Sequence, residues 1–434
     1  MQVTILHTND VHGRIDGLAR IATLVERIRA ETPHRVIYVD AGDVEERTVR
    51  LSNLTNGVAM HRVLSAAGCE AAAVGNAVWL LHGAQALAGQ ARAARYPLLL
   101  ANLAPVEGVR ATALVDGVGF VGVTDPFRSF LDRGIDYGLE VLDEVEAVRR
   151  GARELRAKGA ELVVCLSHLG YRTLPETAGL VTPDPELAVE VEGEVDLIVG
   201  AHSHDLLPEG ERIGSVLVTQ AGAFAGHLGR VDIVDGDMRA SVIEVTDDIP
   251  QHPAVLAAAA AAEADLDASL DVEIAQLDAP LDCQWIVEML RTRMGADVGL
   301  GIAAVLLDRP LPPGRLRRGE LWQACPSSAN PAVAEVPGAQ LAKMLERGRD
   351  PGFASMSNHA LRGRPRGGLY VAGAETIDPE RTYVLAATDF EFWDQAGLVD
   401  ADWDLSVRYE FPTILREAIE EVLSIEAQAS LAEV

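Results

Sequence analysis

Lysine is nearly absent from this 434-residue chain; Lys158 and Lys343 are the only two. Arginine carries the remaining positive charge, a bias we read as coding preference. Acidic residues outnumber basic ones by 65 to 37, a formal charge of −28. A groove for duplex nucleic acid needs clustered cations against the phosphates, so that class of partner is excluded. A small anionic substrate needs a local cation that outweighs the field of the whole surface. Cysteine is sparse too. Cys69, Cys165, Cys283 and Cys325 lie far apart and make no CxxC pair, which excludes a zinc ribbon or dithiol motif and suits a reducing compartment. No apolar run reaches the ~18 residues that cross a bilayer, so no membrane partner is expected. The opening MQVTILHTND has neither a basic n-region nor an apolar h-region. The chain as it stands reads as cytoplasmic, or as secreted or periplasmic if a signal peptide was trimmed. The oligomeric state is left open.

What is present is alternation. Apolar strands at 3–6, 35–43, 70–76, 161–170 and 196–204 alternate with helical periodicity at 18–30, 59–68 and 145–159. Strands alternating with helices predict a layered α/β domain over residues 1–248, with reactive residues past the carboxyl ends of the strands. Residues 249–275 are Ala-rich and favour a linker helix. A second, smaller α/β domain is expected over 276–434.

The chemistry-bearing residues sit where the strands stop. Asp10 and His12 are two apart, so an extended backbone points both side chains to one face. His202 and His204 repeat the spacing, and each pair is expected to close on one metal without backbone strain. Asp43 follows Gly42, which permits a tight turn. Asn76 follows Gly75, and His168 ends a further strand. Each dipeptide alone is a common turn or a surface histidine; the ordered set of five is not. Imidazole, carboxylate and amide oxygen suit first-row divalent ions. Two such ions against Asp10 and Asp43 leave a site charge of roughly +2, enough to hold a phosphate despite the acidic surface.

These segments, HTNDVHG (7–13), DAGD (40–43), GN (75–76), SHLG (167–170), AHSH (201–204) and QAG (220–222), resemble the 5′-nucleotidase family of calcineurin-like metallophosphoesterases, which includes 2′,3′-cyclic-nucleotide phosphodiesterases. The second half is similar to the family's substrate domain through GADVGL (295–300), PSSAN (326–330), RTYVLAATDF (381–390) and PTILREA (412–418). The resemblance implies a four-layer αββα N-terminal domain followed by an α/β substrate-binding domain. It implies two divalent ions, Mn²⁺ foremost, with Zn²⁺, Fe or Mg²⁺ as alternatives. Asp10, His12, Asp43 and His204 would hold one; Asp43, Asn76, His168 and His202 would hold the other.

The chain also departs from the family. Ala77 stands where the family has its catalytic histidine, and Leu80 where that histidine has its aspartate. A general acid contributes about 10²–10⁴ in rate. His82, six residues past Asn76, is the candidate substitute, so Asn76 and His82 are the catalytic expectation. In the second half the family's phosphate arginine run is replaced by residues 302–307, with Arg309 displaced from it. Phe390 keeps the position of one base-stacking aromatic, Tyr370 is the candidate second, and Asn330 keeps the asparagine of the family's Pro-Phe-x-Asn. The sequence therefore predicts a metal-dependent phosphoester hydrolase with a dimetal-activated water. Its expected substrates are small nucleotides or phosphodiesters, 2′,3′-cyclic nucleotides among them. The alternative is a weakened or inactive relative that binds metal and nucleotide without turnover.

Overall fold

The computed structural model describes residues 1–434 except 47–48, 79–83, 105, 127–138, 173–180, 328, 357–364, 374–375, 394–395, 401, 411–412 and 433–434. The chain divides into two compact units, Met1–Leu131 with Tyr137–Leu266, and Asp132–Asp136 with Asp267–Val434.

The first unit holds two six-stranded sheets. In one, the order is Asp237–Glu244, His227–Val234, Gln2–Thr8, Arg35–Asp40, Ala71–Ala73, Leu98–Leu99. The last four strands run parallel and the first two pair antiparallel at the edge. In the other sheet the order is Glu211–Ile213, Val216–Thr219, Leu197–Gly200, Leu162–His168, Val118–Thr124, Thr112–Val115. Its four inner strands are parallel. Both faces of the central strands are covered, so they read as continuous apolar runs. Alternate residues show where each face goes. Val3, Ile5, Ile37 and Val39 meet Phe120, Val164, Leu166, Leu197 and Val199 in one buried cluster between the sheets. Val163, Cys165 and Ile198 point the other way, into a cluster with Val148, Leu155 and Leu187 of the helices Glu144–Ala157 and Asp184–Glu190. Helix Ile15–Glu31 buries Leu18, Ile21, Leu24, Val25 and Ile28 and packs against the Arg35–Asp40 strand. The layers run helix, sheet, sheet, helix, the four-layer arrangement that the resemblance implies.

The second unit is built on a mixed five-stranded sheet, in the order Leu369–Ala372, Val298–Ile302, Thr382–Thr388, Pro331–Pro337, Val407–Tyr409. Its two faces carry separate apolar clusters. One joins Ile286 and Leu290 of helix Cys283–Arg293 to Ala386 and Leu415; the other gathers Leu385, Ala387, Leu341 and Phe390. The Ala-rich segment forms helix Pro253–Leu270, and the division between the units falls near its end. No helix among the described residues is long and apolar enough to cross a membrane.

Candidate metal centre

The parallel strands of the first unit end at one edge, and the loops that leave them carry the candidate ligands. The strand predicted at 70–76 is only Ala71–Ala73, and Asn76 instead opens a helical turn at 76–78. The loops are laced together by backbone hydrogen bonds. The amide of Asp10 donates to the Gly42 carbonyl at 2.9 Å, and the amide of His12 to the Asp43 carbonyl at 3.0 Å. Gly75 is required by close approach: a Cβ there would collide with Asp43 Oδ1.

The extended, unstrained geometry expected for the two spaced pairs is not what the chain adopts. Asp10, His12, Asp43, His202 and His204 have φ of +49°, +47°, +55°, +71° and +56°. The left-handed region is sparsely used by residues with a Cβ, and such strain concentrates at functional sites. The physical reason is that the ligands sit past the strands, in turns that must aim side chains back over the sheet edge. The His202–His204 pair is accordingly split. The His204 ring lies 5.1 Å from that of His12, whereas the His202 ring lies 5.2 Å from that of His168.

Two clusters result, Asp10 with His12 and His204, and Asp10 with Asp43 and His168. Asp10 Oδ1 is 3.8 Å from His12 Nε2, 3.5 Å from His204 Nε2 and 3.8 Å from His168 Nε2. Asp43 Oδ2 is 3.3 Å from His168 Nε2, while its Oδ1 accepts the Ala77 amide at 2.9 Å. Asp10 belongs to both of these clusters. Asn76 Oδ1 stands 2.9 Å from His168 Nε2.

His168 tests whether a cation fits here. Its Nδ1 lies 3.0 Å from the Ala41 carbonyl, which can only accept, so Nδ1 carries a hydrogen. In the neutral ring Nε2 is then a lone pair, yet it faces oxygens of Asn76, Asp43 and Asp10. Four acceptors converge on one point, and only a proton or a cation reconciles them. Without a metal, His168 takes the proton. Burial opposes that charge, but the Asp43 and Asp10 carboxylates prevail and push its pKa up to about 10. Burial likewise raises Asp10 and Asp43, and the histidines overcome it and hold both carboxyls below their usual range. His202 is driven the other way, down to about 4, by burial and by the charge on His168. Two buried carboxylates, four converging imidazoles and an amide oxygen form a donor set that suits divalent ions.

Other expected residues lie elsewhere. His82 is outside the described residues. Phe390, in the 3-10 turn Asp389–Phe392, is 7% exposed within the apolar cluster of the second unit. Asn330 is buried as well, its side-chain amide donating to the Thr413 carbonyl at 2.8 Å. Tyr370 and Arg309 are exposed. His7, inside the first motif, is buried core, its pKa lowered to about 3 by burial. Asp125 belongs to none of the sequence motifs. It follows the strand Val118–Thr124 directly, and its Oδ2 lies 3.5 Å from His202 Nε2. The strand-end rule that selected the other ligands would have selected it. Glu46 Oε2, 3.6 Å from His12 Nδ1, and Phe224, beside His12 and His204, carried no such signal.

Residues 3–206 match the calcineurin-like phosphoesterase family. A metallophosphoesterase of Bacillus subtilis described as uncharacterized, YunD, is 24% identical over 422 residues, spanning 89% of this chain and 88% of that protein. The 5′-nucleotidase of Bos taurus is 27% identical over 312 residues, 59% of this chain and 51% of its own; the chain thus spans about half the length of that relative. The crystal structure of a 5′-nucleotidase precursor from Thermus thermophilus superposes with a TM-score of 0.57 at 20% identity, covering 98% of this chain and 97% of that one, a likeness of fold. Calcineurin-like phosphoesterases use a divalent two-metal centre, and candidate ligands for one are present here. Residues 3–206 thus carry a calcineurin-like phosphoesterase domain, which together with the 5′-nucleotidase relatives supports a phosphoric ester hydrolase, and 5′-nucleotidases stand among the structural neighbours in fold.

Proposed function

We propose that the chain hydrolyses phosphoric esters with two divalent ions, Mn²⁺ foremost, held by Asp10, His12, Asp43, Asn76, His168, His202 and His204. The observation that carries this reading is the convergence of oxygens on His168 Nε2, a point that demands positive charge. Divalent ions there supply positive charge to phosphoryl oxygens and acidify water. The chain's own contribution is positioning. Asp10 joins the two clusters, the Ala77 amide orients Asp43, and the Ala41 carbonyl fixes the tautomer of His168.

Ala77 offers no proton to a departing alkoxide, so substrates with good or tethered leaving groups are favoured. Small nucleotides and phosphodiesters, including 2′,3′-cyclic nucleotides, fit better than ordinary 5′-mononucleotides. The purified protein with Mn²⁺ is expected to cleave bis-p-nitrophenyl phosphate or a 2′,3′-cyclic nucleotide. Asp43→Asn should lower the rate by at least about 10²-fold, beyond the effect of disturbing a ligand's supporting partner, while circular dichroism stays unchanged. Activity that survives both the substitution and a chelator would sink the mechanism. The same alanine supports a second reading, a weakened relative that binds metal and nucleotide without turnover. It would be established by full metal loading with no cleavage across a broad panel of phosphoesters.

A further inference from the structure

Beside the candidate metal centre stands an aromatic side chain that the proposed chemistry does not use. Phe224 is 49% exposed, yet its φ is +58° and that of Ala225 is +54°. A left-handed backbone is a genuine outlier for a bulky residue, and two in succession persist only where the surroundings over-determine them. Here they do. The Phe224 amide donates to the Asp10 carbonyl at 2.7 Å. Helix Ile15–Glu31 makes room with Gly17, where a Cβ would come within 2.7 Å of the Ala225 Cβ. The loop is further pinned by the Asn9 side chain, which donates to the Gly222 carbonyl at 2.6 Å.

The ring so displayed lies 5.4 Å from the His12 ring and 5.3 Å from the His204 ring. The Arg14 guanidinium carbon stands 5.4 Å over the same ring. Arg14 is exposed and pairs with no carboxylate among the described residues. An unpaired guanidinium is notable on a chain of net charge −28. Held over an exposed ring, it makes with that ring an aromatic, positively charged surface beside two candidate ligands. Such a surface attracts flat groups by stacking and anions by charge.

We propose that Phe224 and Arg14 are specificity-determining residues of this site. A planar part of the substrate packs on the Phe224–Arg14 platform, and the guanidinium pairs with an anionic group other than the one being hydrolysed. The proposal rests on the phosphoester reading and narrows it to esters that combine a planar ring with a second negative charge.

The test measures kcat/KM of the metal-loaded wild type, Phe224→Ala, Arg14→Ala and Arg14→Lys on two matched pairs, phenyl phosphate against glycerol phosphate and ADP against AMP. Stacking on an aromatic is worth about tenfold or more. Phe224→Ala should therefore lower the phenyl-to-glycerol phosphate ratio about tenfold. Arg14→Ala should lower the ADP-to-AMP ratio by about tenfold through KM, and Arg14→Lys should restore part of that ratio by returning the charge. Metal content, measured by mass spectrometry, should equal that of the wild type. Unchanged ratios in the variants, or losses that track lost metal, overturn the proposal. If the metal-loaded wild type cleaves none of the four and also leaves bis-p-nitrophenyl phosphate and a 2′,3′-cyclic nucleotide intact, the phosphoester reading itself fails. Calorimetric titration of ADP and AMP into wild type and Arg14→Ala then decides the platform, and equal ADP affinity in both proteins overturns it.

Discussion

The two units differ in where their backbone is strained. Every non-glycine residue with a left-handed backbone among the described residues lies in the first unit, and six of the ten, Asp10, His12, Asp43, His202, His204 and Phe224, gather at the candidate metal centre. The second unit has none among its described residues. Buried carboxylates differ between the candidate metal centre and the rest of the described residues. In the first unit, charge from neighbouring histidines overcomes burial and keeps Asp10 and Asp43 ionised. Away from that centre burial prevails in both units: it pushes Asp40 up to about 7 and Asp184 up to about 8 in the first, and Glu391 up to about 7 in the second. The candidate metal centre combines strained backbone with ionised buried carboxylates that a cation would neutralise; the described residues of the second unit show no such combination. That contrast locates the chemistry without reference to any motif.

The sharpest way to break the contrast is to disturb the strained side by a single methyl group. Gly75→Ala drives a Cβ into Asp43 Oδ1, and neither the Asp43 loop nor the opposing backbone can yield without moving the carboxylate. The expected outcome is a loss of at least about 10³-fold in kcat on bis-p-nitrophenyl phosphate, beyond what mispositioning alone costs, with metal content falling in parallel. Gly236→Ala is the control. It too has a left-handed backbone, but nothing stands within 4 Å of the new methyl. It should cost about 1 kcal/mol of stability and no metal. Full activity in Gly75→Ala would mean that Asp43 is not held where its geometry implies.

How much of this was legible in the sequence depends on which residues are considered. The layered fold of the first unit was legible because strands covered on both faces, such as Leu162–His168, have nowhere to place a polar residue until they end. The abruptness of that ending also marked His168, and the neighbouring loops marked Asp10, Asp43 and His204. Backbone conformation was not legible. Spacing by two suggests an extended pair, and nothing in Asp-x-His announces a positive φ; the strain is imposed by the hydrogen bonds from Asp10 and His12 to Gly42 and Asp43. Asp125 was missed for want of a motif, although its position at a strand end is the same. The second unit was the least legible. Phe390 and Asn330 look alike in sequence whether they clasp a ligand or a neighbouring loop, because the same ring and amide serve either task.

The carboxylate contrast yields a pH prediction with a definite sign. Glu391 accepts hydrogen bonds from the amides of Ile302 and Thr388, but burial outweighs them and raises its pKa from 4.5 to about 7. The folded state therefore binds the proton more tightly than the unfolded one. Its contribution is fully present below about pH 4.5 and is lost as the pH rises through about 7, amounting to roughly 3 kcal/mol. Urea titrations of wild type and Glu391→Gln between pH 4.5 and 8 isolate it, since other titrating groups cancel in the difference. The wild type should lose stability relative to the variant as the pH rises. A flat difference would show that Glu391 titrates normally, and the contrast with Asp10 and Asp43 would then lapse.

The smallest expected effect concerns Phe390, where the relaxed unit meets the expectation that its aromatics clasp a base. The ring is 7% exposed and lies 6.1 Å from that of Trp393, in a cluster with Leu385 and Leu398. The 3-10 turn that carries it is braced by Asp389, whose carboxylate accepts the Asn330 amide at 3.1 Å. A ring so enclosed is worth packing energy. Phe390→Leu removes part of that volume and should cost roughly 1–2 kcal/mol, read as a lower urea midpoint at unchanged slope. If instead KM rises tenfold while the midpoint stays where it was, the ring is exposed to substrate during turnover. The second unit would then take part in recognition in a conformation other than the one described, and the division of labour between strained and relaxed units would have to be redrawn around Phe390.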